Sequence, residues 1–253
     1  MIVEVRKVKI GEGIPKICVP IVGKTKEDII NEVNAFDNIP LDLVEWRGDF
    51  FEDIFNEESV KKVLGELRLI LGDIPLLFTF RTLKEGGERE VDPHKYCELN
   101  KRVIETGQAD LIDVELFTGK EIVKDIIDFA HDHGAWVIGS NHDFQKTPPK
   151  EEIIARLKEM KDLGADIPKI AIMPNSKKDV LALLEATLEA TEKYNLGPII
   201  TMSMSNLGAI SRAFGEFFGS SITFASAGRS SAPGQIEVKE LDSILKAIHK
   251  TLI

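Results

Sequence analysis

A lysine stands at position 169 inside IPKIAIMP (167–174), a run otherwise apolar enough to be a buried strand. An ammonium in such a place must find a counter-charge, give up its proton, or do chemistry. Charged residues close several similar runs. VEWRGD (44–49) carries Glu45 and Arg47 two residues apart, and so on one face of a strand. PLLFTFR (75–81) ends on Arg81, DLIDVEL (110–116) holds Asp113 and Glu115, and AWVIGSN (135–141) runs into His142. PIITMSM (198–204) carries Met202 and Met204 and leads through a loop to Arg212, while SITFA (221–225) leads into SAGRSSAPGQ (226–235). An amine among carboxylates and arginines suits covalent catalysis, in which it attacks a carbonyl and forms a Schiff base. A histidine beside it, with a pKa of about 6.5, can move the protons. Metal ligation is not favoured, because lysine and arginine are poor ligands and His142 is the one histidine in this group.

Each signal also has a plainer reading. Asp113 and Glu115 could belong to a charged barrel layer paired with lysine or arginine. Glu45 and Arg47 could be a structural ion pair, and Lys169 could only neutralise carboxylates. His142 could be a helix N-cap partner. His131 and His133, in AHDHGA, fit a helix C-terminus before a Gly134 cap, where a cation suits the dipole. Two residues apart, they share no helix face and make no metal pair. Gly86 and Gly87 in KEGGE are most simply a flexible loop, since no GK[ST] follows to make a phosphate cradle. Met202 and Met204 are by default pocket filler.

The elements that would position these residues alternate along the chain. Strand-like runs at 16–22, 41–46, 75–81, 110–116, 135–141, 168–173, 198–204 and 221–225 are separated by stretches with apolar residues at helical spacing. TKEDIINEVNAF opens on Thr25 as N-cap, DPHKYCELNKRVIETG has Pro93 near its start and Gly107 at its stop, and SKKDVLALLEATLEATEKY opens on Ser176. IEVKELDSILKAIHKTLI is expected to be the last helix. Eight strand–helix units in 253 residues predict an α/β fold, a closed (β/α)8 TIM barrel over residues 1–253 as one catalytic domain. VEVRKVKIG near the start alternates with period two and predicts a hairpin capping the barrel bottom. A doubly wound open sheet is the runner-up, weakened because no GxGxxG follows the first strand. In such a barrel the strand C-terminal ends carry the active site, so the charged residues above converge on one rim.

Composition narrows the class. The net charge of −10 argues against a general nucleic-acid binder. Cys18 and Cys97 stand far apart, giving no disulfide framework and no metal motif. Charges from Glu4 onward exclude a signal peptide, and no apolar run approaches the roughly 18 residues of a membrane span. A cytoplasmic protein with no membrane and no nucleic-acid partner is expected.

Taken jointly, VEWRGDF, LLFTFRTLKEGGE, DLIDVELF, SNHDFQKTP, IPKIAIMP, ITMSM with the following ISR, and SAPGQ resemble type I 3-dehydroquinate dehydratase, over essentially the whole chain. The resemblance implies a (β/α)8 barrel, a homodimer, and no metal or organic cofactor. It implies reversible syn-dehydration of 3-dehydroquinate to 3-dehydroshikimate, a step toward chorismate and the aromatic amino acids. Carried over by position, Lys169 matches the Schiff-base lysine, His142 the general acid/base, and Glu85 a carboxylate near the histidine. Glu45, Arg47, Arg81, Arg212, Ser231 and Gln235 match substrate contacts, with Met202 beside them. Pro20 stands where other members carry a serine that touches substrate. It has no hydroxyl or N–H to offer, so that contact is not carried over. The alternatives are another Schiff-base barrel, an aldolase using SAGRSS for phosphate, and a barrel that serves as a non-catalytic scaffold.

Overall fold

The computed structural model describes residues 2–228 and 231–252. After a hairpin of β1 (Val3–Val5) and β2 (Val8–Ile10), strands alternate with helices: β3 (Lys16–Ile21), α1 (Lys26–Asn34), β4 (Leu43–Arg47), α2 (Glu57–Leu71), β5 (Leu76–Thr79), α3 (Pro93–Glu105), β6 (Leu111–Glu115) and α4 (Lys120–Asp132). Then follow β7 (Trp136–Asp143), α5 (Lys150–Asp162), β8 (Ile167–Ile172), α6 (Lys177–Glu192), β9 (Ile200–Ser203), the short α7 (Ala209–Ala213) and α8 (Gly215–Phe218), β10 (Ile222–Phe224) and α9 (Val238–Leu252). The sheet has eight parallel strands in the order β10-β3-β4-β5-β6-β7-β8-β9. Between β9 and β10 it closes through an Ile199–Ser220 bridge, where Ser221 N donates to Ile199 O at 2.8 Å. This is the (β/α)8 barrel that the alternation predicts.

Side-chain alternation sorts the strand residues into two layers. Val44, Trp46, Phe78, Ile112, Val114, Val137, Ile170 and Ile172 face the helices and form the larger core. Leu43, Leu77, Leu111, Ile138, Ile167, Ile200 and Ile222 face inward at the strand N-termini and meet Val3, Val5 and Ile10 of the hairpin. The hairpin therefore plugs the barrel bottom, and burying each of its apolar side chains contributes about 1.5–3 kcal/mol. Two residues further along β4 to β8 the inward positions turn polar, and Glu45, Thr79, Asp113, Ser140 and Lys169 are all buried, while β9 and β10 place Met202 and Phe224 there.

The caps follow the sequence. Thr25 accepts from Asp28 N at 3.1 Å while Asp28 returns a bond to Thr25 N. Asp92 caps α3 with Pro93 behind it, and Ser176 N donates to Asp179 at 2.8 Å. The link from β9 to β10, read from sequence as a loop leading to Arg212, carries two short helices, α7 and α8. Phe214 separates them, and Gly219 ends the second in the left-handed region at φ 101°. Among the described residues no helix is long and apolar enough to cross a membrane.

Candidate active site

The ten residues carried over by position, from Glu45 to Gln235, line one cavity at the C-terminal ends of the strands, with about 480 Å³ of space open to solvent. Lys169 stands at its base, 3% exposed, because β8 alternates Ile167, Lys169 and Ala171 inward. Its Nζ donates to Asp113 Oδ2 at 3.0 Å, stands 3.9 Å from Glu45 Oε1, and lies 4.4 Å from the Phe224 ring centroid. Burial pushes the Asp113 carboxyl up, but the Arg81 and Lys169 charges and hydrogen bonds from Ser140 and Lys169 outweigh it and hold the group below its usual range.

His142 lies at the C-terminal end of β7, which runs on to Asp143. Its Nδ1 is 2.9 Å from Glu85 Oε2, and its backbone N–H donates to the same oxygen at 2.8 Å. Burial first, then the Arg81, Lys169 and Arg47 charges, press the imidazole well below its ordinary pKa. Burial and the Glu115 charge raise Glu85 to about 8, against the pull of Arg81 and of hydrogen bonds from Asn141 and the His142 backbone. Both partners are thus pushed toward their neutral forms near pH 7. A neutral carboxyl facing a neutral imidazole makes a pair that holds one proton between two acceptors.

The three arginines differ in how far they are already satisfied. Arg47 donates Nε and Nη2 to Asp49 at 2.8 and 2.7 Å and lies over Phe50. Arg81 is the hub of the rim: it bridges Asp113 at 2.9 Å, Glu115 at 2.8 Å and Ser140 Oγ at 3.1 Å. Arg212, 1% exposed, meets neutral acceptors among the described residues: the Phe224 carbonyl at 3.4 Å, the Pro233 carbonyl at 3.1 Å and Met202 Sδ at 3.7 Å. Its Nε has no partner, no carboxylate pairs with it among the described residues, and burial lowers its pKa to about 10. A buried cation with an idle donor that faces a cavity is built to receive an anion.

One loop departs from expectation. Residues 83–87 form a packed turn, not a flexible loop. Gly86 sits at φ 84° against the Phe144 ring, and a Cβ on Gly87 would lie 1.9 Å from the Arg81 carbonyl oxygen. That close approach lets Thr82 bind Glu115 by both its backbone N and its hydroxyl, at 2.9 and 2.7 Å. In the segment after β10, Ser231 N donates to Gln235 Oε1 at 2.9 Å and Gln235 Nε2 donates to Ser231 Oγ at 3.0 Å. Arg229 and Ser230 of SAGRSS lie outside the described residues. Asp113 and Glu115 were visible in the sequence, and the structure makes them the counter-charges of Lys169 and Arg81. Ser140 could have been found as well, since it shares a strand face with His142. Asn141 and Arg156, which hold Glu85 from outside the barrel, gave no sequence signal.

A profile of the family described as Type I 3-dehydroquinase matches residues 17–252. A 3-dehydroquinate dehydratase of Clostridioides difficile (strain 630) is 56% identical over 250 residues, covering 99% of this chain and 98% of that one. One from Salmonella typhimurium is 50% identical over 248 residues, covering 98% of each. A crystal structure of the type I enzyme from Clostridium difficile with covalently modified comenic acid superposes at a TM-score of 0.97, with 56% identity and 99% of each chain covered.

Proposed function

The chain belongs to the type I 3-dehydroquinase family, and from that premise we propose that it dehydrates 3-dehydroquinate to 3-dehydroshikimate through a Schiff base on Lys169. The substrate is a ring ketone bearing a carboxylate and hydroxyls. Its dehydration must remove a proton next to the ketone and expel a β-hydroxyl. The Lys169 amine adds to the ketone carbon and, with loss of water, leaves an iminium. That cation draws electrons from the neighbouring C–H bond, and His142 takes the proton. The enamine so formed pushes out the hydroxyl, which His142 protonates as it leaves as water. One group serving both steps from one side of the ring makes the elimination syn. Water then hydrolyses the conjugated iminium and returns the amine.

Only the neutral amine attacks, and a free lysine has a pKa of about 10.4, so roughly one in two thousand is neutral at pH 7. Nζ lies 3.0 Å from Asp113 Oδ2 and 3.9 Å from Glu45 Oε1, so two carboxylates flank the nitrogen as it adds. In this reading Glu85 holds His142 and shares its proton. Arg212 takes the substrate carboxylate in its fork. Glu45, Arg47 and Arg81 meet hydroxyls, Ser231 and Gln235 close over the ring, and Met202 forms an apolar wall. The reaction would serve the shikimate pathway toward chorismate in the cytoplasm. The active form would be a homodimer, which sedimentation at twice 28.2 kDa tests.

The observation that carries the proposal is Lys169 Nζ buried at the base of a cavity that also holds His142, Glu85 and the uncompensated Arg212. The test is borohydride reduction in the presence of 3-dehydroquinate, followed by peptide mass spectrometry. A reduced adduct on Lys169, absent from a folded and inactive Lys169→Ala variant, is expected. A folded wild-type protein that turns over substrate with no adduct on Lys169 would sink the mechanism.

A further inference from the structure

The Glu85 carboxyl is held from two sides. Its Oε2 meets His142, as described. Its Oε1 accepts from Asn141 Nδ2 at 3.1 Å. Asn141 is 2% exposed, and its side chain leaves β7 on the face opposite Ser140 and His142. There Arg156 of α5 donates Nη1 to Asn141 Oδ1 at 2.7 Å. Arg156 is itself fixed, bonded to Glu152 and lying 5.2 Å from the centre of the Phe117 ring.

The direction of this chain is set by donor chemistry. A guanidinium has only N–H donors, so the amide oxygen of Asn141 must face Arg156 and its NH2 must face Glu85. Glu85 Oε1 is therefore always an acceptor. Any proton the carboxyl carries sits on Oε2, on the line to His142 Nδ1. Arg81 competes for the same carboxyl, with its Nη1 3.8 Å from Oε2, just beyond hydrogen-bond reach. Loss of the Asn141 bond would let Glu85 turn toward that cation and leave His142 without its partner.

We infer that Asn141, oriented by Arg156, is a positioning residue for the acid/base pair, turning Glu85 so that Oε2 meets His142. The inference rests on the reading of His142 as the proton carrier. The charges that face the pair are Arg47 on β4, Arg81 at the end of β5, Glu115 on β6 and Lys169 on β8. With Asn141 in place, the pair gives and takes its proton at the imidazole nitrogen remote from Glu85, the one free to meet the ring.

The experiment compares wild type with Asn141→Leu, Arg156→Leu and Arg156→Lys. The readouts are kcat, KM and the pH profile of kcat on 3-dehydroquinate, together with borohydride trapping at Lys169. Asn141→Leu is expected to lose about tenfold or more in kcat, with KM within about twofold and the profile displaced. Arg156→Leu should move in the same direction by less, and Arg156→Lys should recover most of the loss. All the variants should still be trapped at Lys169. Wild-type kcat and profile in Asn141→Leu would overturn the inference, as would a lower kcat with an unmoved profile, which marks a merely structural role. If wild type itself shows no Lys169 adduct, the proposed mechanism fails first. An adduct in wild type with unmoved profiles sinks the positioning role alone.

Discussion

At the scale of single residues the site holds charges in three states: neutralised, shared and left open. Asp113 and Lys169 neutralise each other, the Glu85–His142 pair is pushed toward neutrality, and Arg212 has no counter-ion among the described residues. The open charge has a cost. An arginine pressed down to about 10 by burial alone destabilises the fold at neutral pH, where it stays charged. Replacing it with an apolar side chain of similar length, Arg212→Met, is therefore expected to raise the thermal midpoint, by roughly 1–3 kcal/mol in stability, while raising KM at least a hundredfold. A calorimetric scan and steady-state kinetics on the same sample check both halves, and a lower midpoint would contradict the account. The shared proton gives a second prediction. Glu85 is raised from 4.5 to about 8, so the folded state binds its proton more tightly and stability falls as pH rises through that window. His142 is depressed from 6.5, so its contribution rises with pH up to 6.5 and offsets Glu85 below that point. Between about pH 6.5 and 8 only the Glu85 slope remains, on the order of 2 kcal/mol. Glu85→Gln removes it, so the stability of wild type minus that of the variant should decline with pH in urea titrations. A flat difference would mean that Glu85 is ionised throughout.

At the scale of elements, the strands did what their alternation says. Glu45 with Arg47, and Asp113 with Glu115, face inward together because side chains two apart share a face. That rule, with eight apolar runs, made the barrel and most of its rim legible before any coordinates. What stayed hidden was partnership across elements. Nothing in the sequence says that Asp49, in the turn after β4, takes up Arg47, or that α5 reaches over β7 to fix Asn141. Arg47 and Asp49 are neighbours in the chain, whereas Asn141 and Arg156 meet only through the packing of α5 on β7. Glycine was the other blind spot. KEGGE has the composition of a mobile loop, yet Gly87 is needed because the Arg81 carbonyl occupies the place a Cβ would take. Gly87→Ala is expected to displace the 82–87 turn, cost roughly 1–3 kcal/mol, and lower turnover more than binding, since Glu85 rides on that turn. Urea unfolding with a split of kcat from KM checks it. An alanine variant with native stability and kcat would return the segment to the flexible class.

At the scale of the whole molecule the barrel is divided along its axis. The bottom is dry, filled by the inward strand residues and by Val3, Val5 and Ile10 of the hairpin, and the top holds the buried charges. The dry half fixes the strand ends, and the polar half needs that rigidity to hold its carboxylates and cations at bonding distance. Closure of this wall joins opposite ends of the sequence. β10 pairs with β3, Val238, Leu241 and Leu245 of α9 cover Ile17 and Val19, and the β9–β10 gap is bridged by Ile199 and Ser220. During synthesis on a ribosome, then, β3 can pair with β4 early, but its other edge stays open until residue 224 has left the exit tunnel. Throughout that interval the nascent sheet has two unpaired edges and an uncovered apolar stripe. The growing polypeptide is thus expected to bind a holdase chaperone until its last strand appears, and the finished barrel to release it.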